Sequence, residues 1–295
     1  MDAARITPPR RLTVPVSGRF GAGEMAVLDF GDPKRPVDLI FVHANGFNAM
    51  TYRSLLAPLS GTLRIWAPDL RGHGLTRLPT DRGRRIGWAD HRDDLAALLE
   101  VLQGPPVVLA GHSMGGTSSL LAAAERSDRV SRLVLMDPVI WNRAAHLAFH
   151  LPFFDQLPRR IPLYRNALKR RARFDSREAA MAAYRGRGAF KGWPDMMLAD
   201  YLSDGLVEAG EGLTLACAPD WEASNYAAQG HDPWRALARV GRPVRILKAE
   251  TGSTCRVSPD ARRPHVEVGL VPEGTHFFPM LRPDLARDAL FEAAV

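Results

Sequence analysis

Cysteine is scarce. Cys217 and Cys255 are the only two in 295 residues. Two thiols so far apart form neither a disulfide framework nor a zinc-binding pattern. Long apolar runs are missing as well, and none reaches the roughly 18 residues of a membrane helix. Residues Met1 to Pro9 hold no apolar core of a signal peptide. The histidines show no metal-ligand spacing. Tandem repeats and low-complexity tracts are absent. These gaps predict a globular, cytoplasmic chain without stable membrane insertion, needing no metal or cofactor. It would act as a monomer or homodimer. The chain is long enough for one large core or a domain with an insertion.

Acidic residues are outnumbered, 32 to 39, which with neutral histidines gives a net charge of +7. The surplus is local. Leu151 to Lys191 contains eleven basic residues against Asp155, Asp175 and Glu178. Such a segment could face an acidic substrate, an anionic membrane surface or nucleic acid. No nucleic-acid motif accompanies it. The expectation is a solvated helical face, in which arginine stems cover apolar surface and their heads stay in water.

What is present centres on Val107-Val108-Leu109-Ala110-Gly111-His112-Ser113-Met114-Gly115-Gly116. An apolar run suited to one buried strand ends in Gly-x-Ser-x-Gly, and a helix-forming run from Ser118 to Glu125 follows. Strand, sharp turn and helix is the setting in which such a serine is lifted above a sheet edge. Gly111 and Gly115 stand where a Cβ would strike neighbouring backbone.

The rest of the chain alternates between strand and helix patterns. Strands are expected at Arg11–Val16, Met25–Phe30, Val37–Val42, Leu63–Ala67, Val130–Met136, Val244–Ala249 and Val266–Val271. Helices are expected at Thr51–Leu59, Trp88–Leu102, Asp232–Leu237 and Arg282–Ala294. This predicts an α/β fold with a mostly parallel sheet of about eight strands between helices. Reactive groups collect at the carboxyl ends of such strands, which places Asn45, Asp69, Ser113 and Asp137 at one edge. Residues 1–10 read as a loose tail. From Val139 to Gly230 the pattern changes to proline-broken helical segments dense in aromatics. This predicts a core at 1–138 and 231–295 and a helical cap at 139–230. Its large apolar residues include Trp141, Phe153, Phe154, Phe190, Trp193, Tyr201, Trp221 and Tyr226, and most of them would form cap core. A minority would line an apolar cleft.

Four blocks, in order, resemble the α/β-hydrolase family: His43-Ala44-Asn45-Gly46-Phe47, Asp69-Leu70-Arg71-Gly72-His73-Gly74, Gly111-His112-Ser113-Met114-Gly115-Gly116 and Gly274-Thr275-His276-Phe277-Phe278-Pro279-Met280. The chain is most similar to lid-bearing, carboxylesterase-like serine hydrolases. The resemblance implies Ser113 as nucleophile and His276 as its base. It also implies an oxyanion hole from the backbone N–H groups of Met114 and Asn45. Ala44 replaces the usual glycine beside Asn45. Many relatives carry the acid after a later strand, where Gly252 stands here. Some lid-bearing relatives supply it after the sixth strand instead, and the resemblance then implies Asp137 as the acid, with Glu250 the alternative. His43 and His73 are expected to support loops, and the His112 ring to point away from Ser113.

A serine at the elbow sets the chain apart from similar dehalogenases and epoxide hydrolases, which use aspartate there. The implied chemistry is cleavage of a small to medium, largely apolar ester, thioester or lactone through an acyl-serine. Hydrolysis of a carbon–carbon bond in a diketone-like substrate is an alternative. A receptor-like protein with little turnover is another.

Overall fold

The computed structural model describes residues 8–83, 85–149, 160–260 and 263–295. The first seven residues of the expected tail, and Phe153, Phe154, Asp155, Pro158 and Arg159 of the insertion, lie outside them. The first strands are β1 (Arg10–Gly18), β2 (Gly21–Phe30), β3 (Leu39–Val42) and β4 (Ile65–Pro68). Next come β5 (Val107–His112) and β6 (Val130–Met136). The small strands are β7 (Arg173–Phe174), β8 (Leu206–Ala209) and β9 (Gly212–Leu215), and the last two are β10 (Val244–Ala249) and β11 (Val266–Val271). The helices are α1 (Arg53–Leu56), α2 (Ala89–Val101), α3 (Met114–Glu125) and α4 (Arg143–Ala148). They continue with α5 (Pro162–Leu168), α6 (Arg177–Tyr184), α7 (Asp195–Gly205) and α8 (Pro219–Ala227). The last are α9 (Pro233–Arg239), α10 (Phe278–Leu281) and α11 (Pro283–Ala294).

Eight strands form one sheet in the order β1-β2-β4-β3-β5-β6-β10-β11. Pairing is antiparallel for β1–β2 and β2–β4 and parallel across the rest. The expected mostly parallel sheet is therefore present. Its central strands read as continuous apolar runs because both faces are covered. Along β3, Leu39 and Phe41 join the apolar cluster that includes Leu290 of α11. Ile40 and Val42 join the one that includes Leu98, Leu120 and Leu237 of α2, α3 and α9. Side chains alternate between faces because a strand has period two.

Two local expectations change. The helix expected at Thr51–Leu59 is α1 flanked by 3-10 turns at Ala49–Tyr52 and Ala57–Leu59. Pro58 has no N–H to donate and cannot extend an α-helix from within. The segment at 139–230, expected to be helical, also carries a three-stranded antiparallel sheet, β7-β9-β8. Gly210 at φ 64° allows the two-residue turn between β8 and β9. These strands are two to four residues long, too short for a sequence period to show. Phe174, Phe190, Trp193, Tyr201 and Leu215 of this segment share one apolar cluster with β3, α1 and α11.

Candidate active site

The turn after β5 has the expected shape. Ser113 sits at φ 54°, ψ −121°. A Cβ on Gly111 would lie 2.6 Å from the Gly115 carbonyl carbon, and one on Gly115 would lie 2.3 Å from the Val42 carbonyl oxygen. Only glycine lets the turn seat this tightly against β3. Ser113 is 7% exposed and opens onto a cavity.

His276, between β11 and α10, reaches Ser113 from across the sheet. Its Nε2 is 3.0 Å from Ser113 Oγ, and its Nδ1 is 2.6 Å from Asp137 Oδ2. The three residues stand 163 and 139 positions apart in sequence. Parallel strand order brings β5, β6 and β11 to the same edge. Asp137 follows β6 at φ 42°, an uncommon conformation for a non-glycine residue, and is fully buried.

Four groups from the end of β10 and the loop after it hold this aspartate. Oδ1 accepts from the Ala249 N–H at 3.0 Å and from Ser253 Oγ at 2.5 Å. Oδ2 accepts from the Thr254 N–H at 3.0 Å and from Thr254 Oγ1 at 3.3 Å. Burial pushes the carboxyl pKa up. The His276 bond and charge, with those from Ser253 and Thr254, outweigh it and leave the group below its ordinary value. Ser253 and Thr254 were missed by sequence reading. Their only signal is their place beside Gly252, where similar chains carry the acid. Glu250 is exposed and accepts from the Glu273 N–H at 2.7 Å, so it is not brought to His276.

His112 points away from Ser113. Its Nε2 donates to the His276 carbonyl at 2.8 Å, so its Nδ1 accepts from Tyr52 OH at 2.8 Å. The Tyr52 oxygen in turn accepts from the Ala44 N–H at 3.2 Å. One chain of bonds thus ties the loop after β3 to the backbone of His276. Burial first, and the nearby His276 second, lower the His112 pKa to about 3, which keeps the ring neutral. His43 and His73 tie loops together. His43 Nε2 accepts from the Leu70 N–H at 2.9 Å and His73 Nε2 from the Gly46 N–H at 3.1 Å.

Asn45 and Met114 both line the cavity with Ser113. The Asn45 side chain is engaged elsewhere. It donates to the Glu222 carbonyl at 3.0 Å and accepts from Asn225 Nδ2 at 2.8 Å. Both partners belong to α8. Gly46 has φ 74°, and a Cβ there would stand 2.7 Å from the Glu222 carboxylate. Helix α8 is therefore bonded directly to the loop after β3. Met114 opens α3, and the first N–H groups of a helix have no intrahelical partner.

The cavity holds about 420 Å³. Apolar walls come from Phe47, Trp141, Leu163, Phe190, Tyr226 and Phe277. Trp193, Tyr201 and Trp221 of the insertion are buried in packing instead. Arg170, also on the wall, is ion-paired with Glu222 and donates to Tyr201 OH at 2.6 Å. The aligned hydroxyl, imidazole and carboxylate can pass a proton from Ser113 to His276 while Asp137 holds the ring.

The chain is 26% identical over 258 residues to a 2-(acetamidomethylene)succinate hydrolase of Mesorhizobium japonicum, covering 85% of this chain and 86% of that one. A solved E-2-(acetamidomethylene)succinate hydrolase superposes with a TM-score of 0.74 at 25% identity, covering 96% and 98% of the two chains. An sn-1-specific diacylglycerol lipase of Mus musculus is 31% identical over 173 residues, 52% of this chain and 54% of that one. The model of the alpha/beta hydrolase family matches residues 39–289, and the chain belongs to that family.

Proposed function

We propose that this protein is a serine hydrolase that cleaves a small to medium, largely apolar carboxylic ester, thioester or lactone. The observation that carries the reading is the unbroken run Asp137–His276–Ser113, with contacts of 2.6 and 3.0 Å, opening on an apolar cavity. Ser113 attacks the acyl carbon as His276 Nε2 takes its proton. Asp137 holds the Nδ1–H and offsets the imidazolium charge. The backbone N–H groups of Met114 and Asn45 face the oxyanion. His276 returns the proton to the leaving group, then activates water against the acyl-serine.

In this reading residues 139–230 act as a cap, supported by the cavity walls they supply and by the bonds of α8 to Asn45. The setting is cytoplasmic. Both cysteines are free and buried, and no helix among the described residues is long and apolar enough to cross a membrane. The lipase likeness supports an ester substrate.

A second reading is hydrolysis of a bond other than an ester, such as a carbon–carbon bond in a diketone-like substrate. The likeness to a hydrolase named for an acetamidomethylene succinate favours it. The test is fluorophosphonate labelling with peptide mapping, followed by turnover of an aryl ester and a ring-cleavage diketone. A single adduct on Ser113 and ester turnover lost in Ser113→Ala are expected. Ester turnover intact in Ser113→Ala overturns the proposal.

A further inference from the structure

One stretch of the cavity wall is not apolar. Arg170, just after α5, and Glu222 of α8 both line it. The two are ion-paired, with side chains only 17% and 8% exposed. Arg170 Nη2 also donates to Tyr201 OH of α7 at 2.6 Å and stands 3.4 Å from Tyr184 OH of α6. Tyr184 shares the lining with the pair. The patch lies beside the loop after β3. A Cβ on Gly46 would stand 2.7 Å from the Glu222 carboxylate, and the Glu222 carbonyl accepts from Asn45 Nδ2 at 3.0 Å.

Taking a charge pair out of water is expensive, and apolar residues of similar volume hold helices together as well or better. This pair keeps unused bonding capacity on a wall that faces the cavity. A guanidinium carries more N–H donors than the contacts to Glu222, Tyr201 and Tyr184 occupy. A carboxylate offers more acceptor positions than the one Arg170 takes on Oε2. Donor and acceptor stand side by side, and their charges cancel. A carboxylate entering there would lose its water, meet an arginine already neutralised and face Glu222. The other arginine on the lining, Arg187, is exposed, and a charge pair in water contributes little. A hydroxyl fits the pair. Its oxygen accepts from the guanidinium and its O–H donates to the carboxylate, both as charge-assisted bonds. Against the apolar walls the same hydroxyl would lose its water uncompensated.

We propose that Arg170 and Glu222 determine specificity by recognising an uncharged hydroxyl on an otherwise apolar substrate, a few bonds from the carbonyl carbon that Ser113 attacks. The recognition stands on the wall alone. That the hydroxyl belongs to an acyl substrate rests on the hydrolase reading above.

The experiment is calorimetric binding of methyl ketones to the full chain. The ketones stand in for the acyl group, come in a short series of chain lengths, and end in a hydroxyl, a methyl or a carboxylate. At the best length the hydroxyl ketone is expected to bind about tenfold or more tightly than its methyl counterpart, and more tightly than the carboxylate. Arg170→Met/Glu222→Gln removes both charges and leaves neither unpaired, so the hydroxyl preference is lost. In Glu222→Gln alone Arg170 has no counter-charge, and the carboxylate ketone overtakes the hydroxyl. A pair that only braced the helices would weaken all the ketones together and leave their ranking unchanged. A cooperative urea transition shows that each variant folds, and the wild-type ranking tests the proposal without any variant. Four results overturn it: no ketone bound, hydroxyl and methyl bound equally at every length, carboxylate bound most tightly by wild type, or a hydroxyl preference kept by the double variant. Ketone binding is read without turnover, so ester hydrolysis surviving Ser113→Ala would sink the hydrolase reading and leave hydroxyl recognition standing.

Discussion

Ser253 Oγ donates to Asp137 Oδ1 at 2.5 Å, while the opposite oxygen of the same carboxylate receives His276. The serine faces away from the reacting atoms and acts on them only through the aspartate. Ser253→Ala leaves Oδ1 with the Ala249 N–H alone, and a hydrogen bond to a charged group contributes about 1.5–3 kcal/mol. The expected result is a fall in kcat/KM of roughly tenfold or more, with the acid limb of the pH profile moved upward. Restoration by Ser253→Thr would confirm positioning. An unmoved pH profile would count against it.

Asp137→Asn and Glu250→Gln form a matched pair. Removing the buried carboxylate that orients His276 should cost about 10⁴ in kcat, by analogy with other triads. Glu250 is exposed and bonded to the Glu273 backbone, so its variant should label and turn over like wild type. Labelling kinetics with a fluorophosphonate separates the two, and slow labelling of Glu250→Gln alone would reverse the assignment.

Asn225 holds Asn45 from α8. In Asn225→Ala the Asn45 Oδ1 loses this donor, and His73 Nε2, 3.3 Å away, already accepts from the Gly46 N–H and cannot replace it. The loop that carries the Asn45 N–H then loses a fixed position. A drop in kcat of about tenfold with KM little changed is expected, since a lost buried hydrogen bond costs about 1–3 kcal/mol. Steady-state kinetics reads the split, and a rise in KM alone would place Asn225 in substrate binding instead.

Gly115→Ala would set a Cβ 2.3 Å from the Val42 carbonyl and 2.4 Å from that of His43. Both obstacles are backbone and cannot rotate aside. Urea denaturation should show a loss of about 1–3 kcal/mol, with Ser113 labelling abolished because the turn must shift.

Acid should destabilise the fold through its buried histidines. Burial lowers His43 and His91 from 6.5 to about 4. The unfolded chain therefore takes up protons first as pH falls. The stabilisation is complete above pH 6.5 and is lost as pH falls toward 4. Between about pH 7.5 and about pH 5.5 each of the two should remove about 1.4 kcal/mol. Urea midpoints at both pH values check this, and His91→Asn should flatten the slope. An unchanged slope in that variant would mean that other groups set it.

The sheet was legible because its signals are local. β6, β10 and β11 begin and end where their apolar runs do. The elbow was legible because two glycines and a serine record a steric demand within five residues. Ser113, His276 and Asp137 could be named from short blocks. The β8–β9 hairpin was not legible, since four residues are too few to establish a period.

The sequence by itself determined the strands of the eight-stranded sheet, most of the helices beside it and which residues carry reactive groups. Backbone sterics and side-chain periodicity act over a few neighbouring positions, and the chain records them directly. Only the tertiary structure set Asp137, and not Glu250, against His276 and bonded Asn45 to α8 across 180 positions. Those outcomes follow from strand order and from where the segment between β6 and β10 settles. Partners so distant in the chain meet only when the whole fold closes its loops.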